Sequence, residues 1–513
     1  MWRLCNAGRQ YPLPVANIRW LMFFVGLSFA LKFRWEFVVV RTWGAGMHST
    51  STIRQFLSRC ALVVAAALLL VAPARPAHAT PGFARQTGVA CEACHTVFPE
   101  LTPFGRLFKL NGYVFSNVRQ IQDIGVNRET TLALAEAAPL SLQLQASNTT
   151  LAKTIPDEAA ADVSQRNATQ FPQALSLFYT GKIADNLGAF LQLTWSPATN
   201  SVGIDNSDLR FADHGAFPSV GVPDFIYGIT LNNNPTSQDV WNSTPAWGYP
   251  FLTTIAGIPT LAKTQIDGTL AQTSAGLGGY LWLFNHFYVE FDGYRSAQTG
   301  TTNSVTGNVG PLDSTANNRI NGVAPYWRVA WEQDWQRNSL SFGTFGLRDV
   351  THPTGIGEHG PANTFTDLAL DAQYQYIGDN HIVSFYATWI HERQELNTAN
   401  GTAANATDYL NTVRLTGSYF YNRKFGGSIQ LFSTTGTTDA GLYTAKPVVG
   451  SASGSPDTQG AIFELDYLPW LNTKLGLQYT AFHKFNGATS NYDGFGRNAS
   501  DNNTFFVFVW TAF

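Results

Sequence analysis

The sequence predicts an all-β protein, an outer-membrane antiparallel β-barrel of about 16 strands. The chain of 513 residues is aromatic-rich (13%) but poorly charged (13%), a composition that does not suit a set of ordinary soluble domains. After Val71 no run of about 18 apolar residues appears, so helical membrane spans are not expected. From about residue 138 onward, polar and apolar residues alternate in successive stretches, as β-strands with one apolar face require.

The alternation is clearest in four of these stretches. Their apolar positions are Leu140, Leu142 and Leu144; Phe287, Val289 and Phe291; Leu368, Leu370, Ala372 and Tyr374; and Phe463, Leu465 and Tyr467. In a soluble sandwich such a face points into the core, whereas in a membrane barrel it faces lipid and the polar face lines the lumen. The strands alone do not distinguish these two architectures.

The connections favour the membrane barrel, because short and long ones alternate as periplasmic turns and outer loops do. The short ones cover 184–186, 284–286, 378–380, 422–424 and 469–472. The long ones cover 153–169, 232–272, 297–323, 351–364, 397–408, 436–457 and 486–502. Residues 197–200 form a short connection where a long loop is expected. The even strand count predicts a periplasmic N-terminus, and the ending FFVFVWTAF, closed by Phe513, resembles the insertion signal of outer-membrane barrels.

The first 79 residues are predicted to be processing sequence. Residues 47–79 have the basic start, apolar centre and A-x-A end of a secretory signal. Residues 1–46 are apolar but interrupted by charges; they are either a membrane anchor or, as we favour, an annotated extension before a true start at Met47. The mature chain would then consist of residues 80–137 and a barrel of residues 138–513.

The charge balance argues against a nucleic-acid partner. Residues 1–79 hold nine of the 32 basic residues and one of the 35 acidic ones, so the remainder has a net charge of about −11. The charged residues assigned to the lumen are Glu290, Asp292, Glu332, Asp334, Asp367, Asp371, Glu464 and Asp466, with Arg328 and Arg414. They predict either an ordinary wetted lumen or one that attracts cations.

The stretch CEACH carries the chemistry of the N-terminal segment. In a C-x-x-C-H sequence the two thiols bind haem covalently and the histidine is the proximal iron ligand. Cys91 and Cys94 would attach one haem c, and His95 would bind its iron. A disulfide, a redox dithiol and half of a zinc site are the alternatives, but no second ligand pair or thioredoxin-like context accompanies the motif.

The sequence offers several candidates for the sixth iron ligand. The three methionines are Met1, Met22 and Met47, all within the predicted prefix and signal, so a His/Met haem is not expected. His352 and His359 share one predicted outer loop and are the candidate ligands, although a solvated loop histidine is the ordinary interpretation of each. An open or water-bound site and another side chain are further alternatives.

The segment 80–137 is too short to bury a haem in a core of its own. We therefore expect it to be partly helical and to lodge in or at the barrel, which would complete the pocket. Leu101, Phe104, Leu107 and Phe108 recur at helical spacing. Arg106 and Lys109 project elsewhere and are candidate partners of the haem propionates, or else solvated helix charges.

Two stretches carry a resemblance to a known family. FARQTGVACEACH followed by FPELTPFGRLFKLNGY, within 83–113, and NNNPTSQDVWNSTPAWGYP, within 232–250, resemble the fused outer-membrane monohaem cytochrome–porins best known from iron-oxidising bacteria. The resemblance implies that Cys91, Cys94 and His95 hold one c-type haem inside the porin. Iron-oxidising members of the family take electrons from extracellular Fe(II) and pass them to periplasmic carriers.

The second stretch follows the fifth predicted barrel strand, where 16-stranded porins fold a loop into the pore. We expect 232–250 to pack inside the barrel, with Trp241 and Trp247 near the haem. An ordinary outer loop is the alternative.

The functional expectation is electron transfer through one haem in the outer membrane of a Gram-negative bacterium. The donor would be extracellular Fe(II) or another reductant, and the acceptor a periplasmic c-type cytochrome or another soluble carrier. Fe(II) oxidase activity would follow from that role. A porin or cation channel with a structural or regulatory haem, and electron export to an external acceptor, are the alternatives. No acid–base dyad or nucleophile constellation appears.

Overall fold

The protein is described from a computed structural model that covers residues 82–115, 120–124, 130–136, 138–156, 167–197, 200–217, 223–246, 248, 251–296, 318–353 and 361–513. The predicted extension 1–46 and signal 47–79 lie outside these residues. Among the described residues, no helix has the length and apolar character that crossing a membrane requires.

In the described part of the chain, three short helices precede the sheet. They are α1 (Gly82–Thr87), α2 (Cys91–Cys94) and α3 (Pro103–Leu110). The strands are β1 (Gln120–Ile124), β2 (Thr130–Ala135), β3 (Leu140–Leu151), β4 (Asn167–Ala184), β5 (Leu187–Ser196), β6 (Ser201–Ala216), β7 (Pro223–Asn232), β8 (Ser274–Leu283), β9 (Phe287–Ser296), β10 (Asn318–Ile320), β11 (Ala324–Trp335), β12 (Asn338–Pro353), β13 (Asn363–Ile377), β14 (His381–Glu395), β15 (Thr407–Tyr421), β16 (Phe425–Gly436), β17 (Thr458–Trp470), β18 (Thr473–Lys484) and β19 (Thr504–Ala512). A π-helical turn covers Gln265–Thr269, and 3₁₀ turns cover Thr398–Asn400 and Ala499–Asn502.

Within the described residues, sixteen of the strands close into an antiparallel barrel. Strands β3 to β9 and β11 to β19 pair with their sequence neighbours, and β19 returns to pair with β3, with Val507 opposite Asn148. Strand β10 is a short addition beside β12, and β1 and β2 form a separate hairpin. The predicted barrel of about 16 strands is therefore confirmed.

The short and long connections alternate as the sequence predicts. The short turns, such as those from β13 to β14 and from β17 to β18, lie at one end of the barrel, which we call the turn rim. The strand ends that the long loops join lie at the opposite end, the loop rim. Both ends of the barrel sequence, Leu140 and Ala512, lie at the turn rim. The unexpectedly short connection between β5 and β6 is real, since β5 ends at Ser196 and β6 begins at Ser201.

The apolar face of each strand points outward. On β9, Phe287, Val289 and Phe291 are exposed on the outer surface, whereas Glu290 and Asp292 are buried on the lumen side. Strands β13 and β17 repeat the arrangement. Such an outer surface suits lipid, and the polar inner face suits a lumen. The architecture is that of an outer-membrane β-barrel.

Two pieces of chain occupy the lumen. The first is the N-terminal segment (82–115), and the second is the inward loop (233–273) between β7 and β8, the fifth and sixth barrel strands. Leu110 of the segment, Trp241 of the loop and Tyr288 of the wall belong to one buried cluster. The prediction that the loop after the fifth barrel strand folds inward agrees with this packing.

Buried cations form ion pairs with four of the acidic residues assigned to the lumen, namely Glu332, Asp371, Glu464 and Asp466. Lys474 forms ion pairs with Glu464 at 2.6 Å and Asp466 at 3.3 Å, and Arg328 pairs with Asp371 at 2.9 Å. Arg414 pairs with Asp267 of the inward loop. The side chains assigned to the lumen are buried with two exceptions: Asp334 is exposed near the turn rim, and Arg414 is partly buried.

The outward apolar face gives a direct test of membrane insertion. Leu465, 67% exposed and near the middle of β17, should tolerate arginine poorly, because lipid-facing Arg near the midplane costs about 2–4 kcal/mol. Leu465→Arg should lower the free energy of unfolding from lipid vesicles by that amount in a urea titration. Ala399→Arg, in an exposed loop turn, is the matched control and should leave it unchanged; equal losses would contradict the assigned faces.

Candidate functional site

The motif residues are presented by one helical turn and the residue after it. Cys91 and Cys94 begin and end α2, so their side chains, three residues apart, lie on the same face. His95 leaves the helix with extended backbone angles (φ −124°, ψ 135°). Both cysteines are thiols rather than a disulfide. Cys91, Cys94 and His95 therefore project together from a single compact element.

Helix α3 is fastened to this element at its first turn. The Thr102 hydroxyl accepts a hydrogen bond from the Gly105 amide (3.1 Å) and donates to the Ala93 carbonyl (2.6 Å), and the Thr102 amide donates to the Cys94 carbonyl (2.9 Å). Gly105 is required because a Cβ there would overlap the Cys94 carbonyl oxygen. The two helices therefore hold a fixed relation.

The barrel wall surrounds the segment from several sides. Val97 packs with Ile382, Phe420 and Leu468. Phe98 lies 4.9 Å from Trp510 between ring centroids. The Tyr280 hydroxyl donates to the Leu110 carbonyl (2.7 Å) from another part of the wall. These contacts come from strands on different sides of the barrel, so the segment crosses the lumen.

A cavity opens beside the motif, in the half of the barrel nearer the turn rim. Its empty space is about 1310 Å³, part of it open to solvent. Cys91, Cys94, His95 and Lys109 all line it. The rest of the lining is mainly apolar and aromatic, from the N-terminal segment (Phe83, Phe98, Phe108, Tyr113 and Phe115), the wall (Phe178 and Phe190) and the inward loop (Val240).

The protonation states in the cavity follow from burial. Burial lowers the pKa of His95 to about 4, so the imidazole is neutral at physiological pH. Burial also raises the pKa of the Cys94 thiol to about 11 and raises that of Cys91. The His95 Nδ1 atom is buried and has no hydrogen bond of good geometry, although the backbone groups of Pro99 and Glu100 lie close enough to the ring to oppose the lowering of its pKa. At physiological pH the site therefore holds a neutral imidazole beside two protonated thiols.

These residues fit the haem c that the motif predicts. Both thiols and the imidazole line the same mostly apolar space, which is suited to a large planar apolar group. The neutral His95 ring could bind iron through an imidazole nitrogen. Among the described residues, no set of three or more His, Cys, Asp or Glu side chains is arranged for a bare metal ion.

The two candidate propionate partners lie in different places. Lys109 lines the cavity, and its Nζ atom donates to the carbonyls of Ser237 (2.5 Å) and Asp239 (3.3 Å). Arg106 does not line it. The Arg106 guanidinium is buried, 2.8 Å from Glu332 Oε2, and donates to Gln375 (3.0 Å). Of the two, only Lys109 is placed to meet a group in the cavity, and both roles stay predictions.

The candidate sixth ligands are not brought to the cavity. His352 lies one residue from the end of β12 at the loop rim, where its Nδ1 atom is 3.3 Å from the Pro361 carbonyl oxygen. The strand begins at Asn338 at the turn rim, about 45 Å away along the strand at roughly 3.3 Å per residue. His359 lies outside the described residues. His95 is the one histidine in the cavity lining of the described chain.

The inward loop reaches the cavity through residues that the sequence did not single out. Val240 and Asn242 line it, whereas Trp241 between them points away and its indole Nε1 donates to Glu332 Oε2 at 2.8 Å. Trp241 is thus buried next to the site rather than in its lining. Trp247 lies outside the described residues.

The comparisons with known proteins give matches among solved structures. No protein-family model and no curated protein matches the sequence. Among solved structures, OmpT of Vibrio cholerae is 11% identical, with 73% of this chain and 96% of that one covered and a TM-score of 0.38. The channel DcaP of Acinetobacter baumannii is 12% identical over 73% and 96%, with a TM-score of 0.41. The anion-selective porin of Comamonas acidovorans is 14% identical over 73% and 98%, with a TM-score of 0.37.

The strand pairing and the outer surface together define the class of protein. It is an outer-membrane β-barrel with a porin-like fold, whose lumen holds an N-terminal segment and an inward loop.

The close approach at Gly105 predicts a specific stability loss. Gly105→Ala should push α3 away from the Cys94 carbonyl and lower the free energy of unfolding by about 1–3 kcal/mol, as overpacking does. Urea titration in vesicles measures this. Gly279→Ala is the control, because a Cβ there meets only an ordinary contact; losses of the same size in both variants would contradict the argument.

The buried pair of Arg106 and Glu332 predicts a larger effect. Glu332→Ala should cost about 3–5 kcal/mol, because it leaves the Arg106 charge buried without a partner. Asp379→Ala removes an exposed ion pair with Arg337 and should cost about 0–1 kcal/mol. The same urea titration compares them, and a Glu332 variant as stable as the Asp379 variant would show that the pair does not hold the segment.

Proposed function

We propose that the protein carries single electrons across the outer membrane through one covalent haem c held inside the barrel. The observation that carries the proposal is the meeting of Cys91, Cys94 and His95 in one largely apolar cavity enclosed by the barrel wall. A C-x-x-C-H motif on an exported chain is the sequence signature of c-type attachment. The motif is a property of the sequence and the cavity is a property of the fold, and both favour the same group.

Each residue would have a distinct part in holding the group. Cys91 and Cys94 would form the thioether links, and neutral His95 would bind the iron. Lys109 would face a propionate, and Asn242 and Val240 of the inward loop would close the cavity. Bound haem would supply a reversible one-electron centre. The apolar lining from Phe98, Phe108 and their neighbours would exclude water and so tune the potential.

The direction of transfer is proposed from the position of the cavity. Short turns of outer-membrane barrels are periplasmic, so the cavity near the turn rim would face the periplasm. A periplasmic c-type cytochrome or another soluble carrier could then approach the site. Extracellular Fe(II) is the proposed donor, in keeping with the family resemblance of the motif stretches. The filled lumen supports an electron path more than an open channel for solutes.

The test uses the full chain, produced in a Gram-negative host that matures c-type cytochromes. We expect the purified protein to contain one haem, to be reduced by Fe(II), and to be reoxidised by a soluble periplasmic-type cytochrome c in stopped-flow absorbance. The Cys91→Ser, Cys94→Ser double variant should contain no covalent haem. His95→Ala should keep the attachment but shift the absorption spectrum.

Two results would overturn the proposal. One is wild-type protein that matures without haem in that host. The other is haem-containing protein that Fe(II) does not reduce while planar bilayers show large, steady ion conductance, which is the behaviour of a channel.

A further inference from the structure

The lumen face of the last strand departs from the rule that such faces are polar. On β19 the buried, inward-facing positions include Phe506, Phe508 and Trp510, and the alternate positions Phe505 and Val507 are exposed to the outside. These residues belong to the stretch FFVFVWTAF. A strand that is aromatic on its lumen face as well as apolar on its lipid face requires an explanation beyond membrane insertion.

The aromatic face begins at the motif histidine. The His95 and Phe98 rings lie 4.8 Å apart between centroids, and the Phe98 and Trp510 rings lie 4.9 Å apart. His95 is the residue that would bind the iron, so the sequence of rings starts at the site itself. The first three rings, those of His95, Phe98 and Trp510, therefore follow one another directly.

The rings continue along the strand toward the loop rim. Trp510, Phe508 and Phe506 pack in one buried cluster with Leu252 of the inward loop, and the Phe506 and Phe508 rings are 5.2 Å apart. The step from Trp510 to Phe506 covers about 13 Å along the strand at roughly 3.3 Å per residue. Phe506 is two residues from Thr504, where the strand begins at the loop rim.

The wall is shaped to hold these rings. Gly476 of β18 lies directly opposite Phe508 in the strand register, and a Cβ at that position would overlap the Phe508 ring. The Lys474 ammonium lies 5.5 Å from the centre of the same ring, a cation–π contact that fixes it further. The ring positions are therefore determined by the wall and are not the result of loose filling.

We infer that His95, Phe98, Trp510, Phe508 and Phe506 form an aromatic path that conducts electrons between the loop half of the barrel and the site. The inference rests on the proposed function. One electron would leave the external donor, Fe(II) becoming Fe(III), and the haem that His95 would hold would take up that electron. The rings act as a tunnelling bridge, so none is oxidised and no proton moves. Their π electrons couple the two ends better than aliphatic side chains of the same length.

The test measures reduction from the outside in outer-membrane vesicles, which keep the native orientation of the barrel. Two external donors are used, Fe(II) and hexaammineruthenium(II), because the second needs no iron-binding site. Phe508→Leu and Phe506→Leu should slow reduction by both donors about tenfold, equivalent to about 1.4 kcal/mol in activation free energy. Phe508→Tyr, which keeps a ring, should stay close to the wild-type rate.

Three controls separate conduction from structure. Phe345→Leu makes the same change at a buried ring on β12, seven strands away around the barrel, and should leave the rate unchanged. Reduction by ascorbate in detergent, where the turn rim is open, should be the same in all variants. The absorption spectrum and the midpoint potential of the haem-containing protein should not distinguish Phe508→Leu from Phe345→Leu. The urea unfolding midpoint, measured in the haem-free Cys91→Ser, Cys94→Ser background, should not distinguish them either.

The outcomes distinguish failure of the aromatic path from failure of the proposed function. Equal external rates in the Phe508→Leu, Phe506→Leu and wild-type proteins would overturn the path while leaving the proposed function intact, as would an equal slowing by Phe345→Leu. Ring-dependent reduction by hexaammineruthenium(II) without reduction by Fe(II) would support the path and overturn Fe(II) as donor. Failure of both donors to reduce the wild-type protein from outside would overturn the path and the inward transfer together.

Discussion

A single carboxylate oxygen joins the three parts of the structure. Glu332 Oε2, on the lumen face of β11, lies 2.8 Å from Arg106 Nε of helix α3 and accepts a hydrogen bond from Trp241 Nε1 of the inward loop at the same distance. The wall, the N-terminal segment and the loop therefore meet at one buried atom. Because the cavity is built from all three, its shape depends on this junction. A buried carboxylate is costly unless fully partnered, and here a guanidinium and an indole supply the partners.

The fold could be predicted because its causes are local. Alternation of apolar and polar residues fixes which face of β9, β13 and β17 meets lipid, and the alternation of short and long connections indicates which barrel end each belongs to. Even the inward loop after the fifth barrel strand was expected. The short strand β10 and the separate hairpin of β1 and β2 were not, because such additions leave no distinct periodic signal of their own. Their pairing is a matter of tertiary context.

The site was only partly predictable, because its other half comes from distant chain. CEACH identified Cys91, Cys94 and His95 from spacing alone, and these three do share a cavity. Sequence could not show that Arg106 would face Glu332, a residue far along the chain, since helical spacing gives a direction but no partner. It also could not show that Val240 and Asn242, rather than Trp241, face the cavity. His352 was a candidate because of its chemistry alone. Its distance from the cavity follows from the length of β12, which the sequence pattern did not define.

The central claim is that the barrel encloses one haem attached to the motif segment. The most direct measurement is the mass of the peptide containing Cys91 and Cys94, released by proteolysis from full-length protein matured in a host that makes c-type cytochromes. We expect this peptide to carry one covalent haem. We also expect the folded barrel to protect the peptide from proteolysis until the barrel is unfolded. An unmodified peptide, with both cysteines free to react with a thiol reagent or linked as a disulfide, would contradict it.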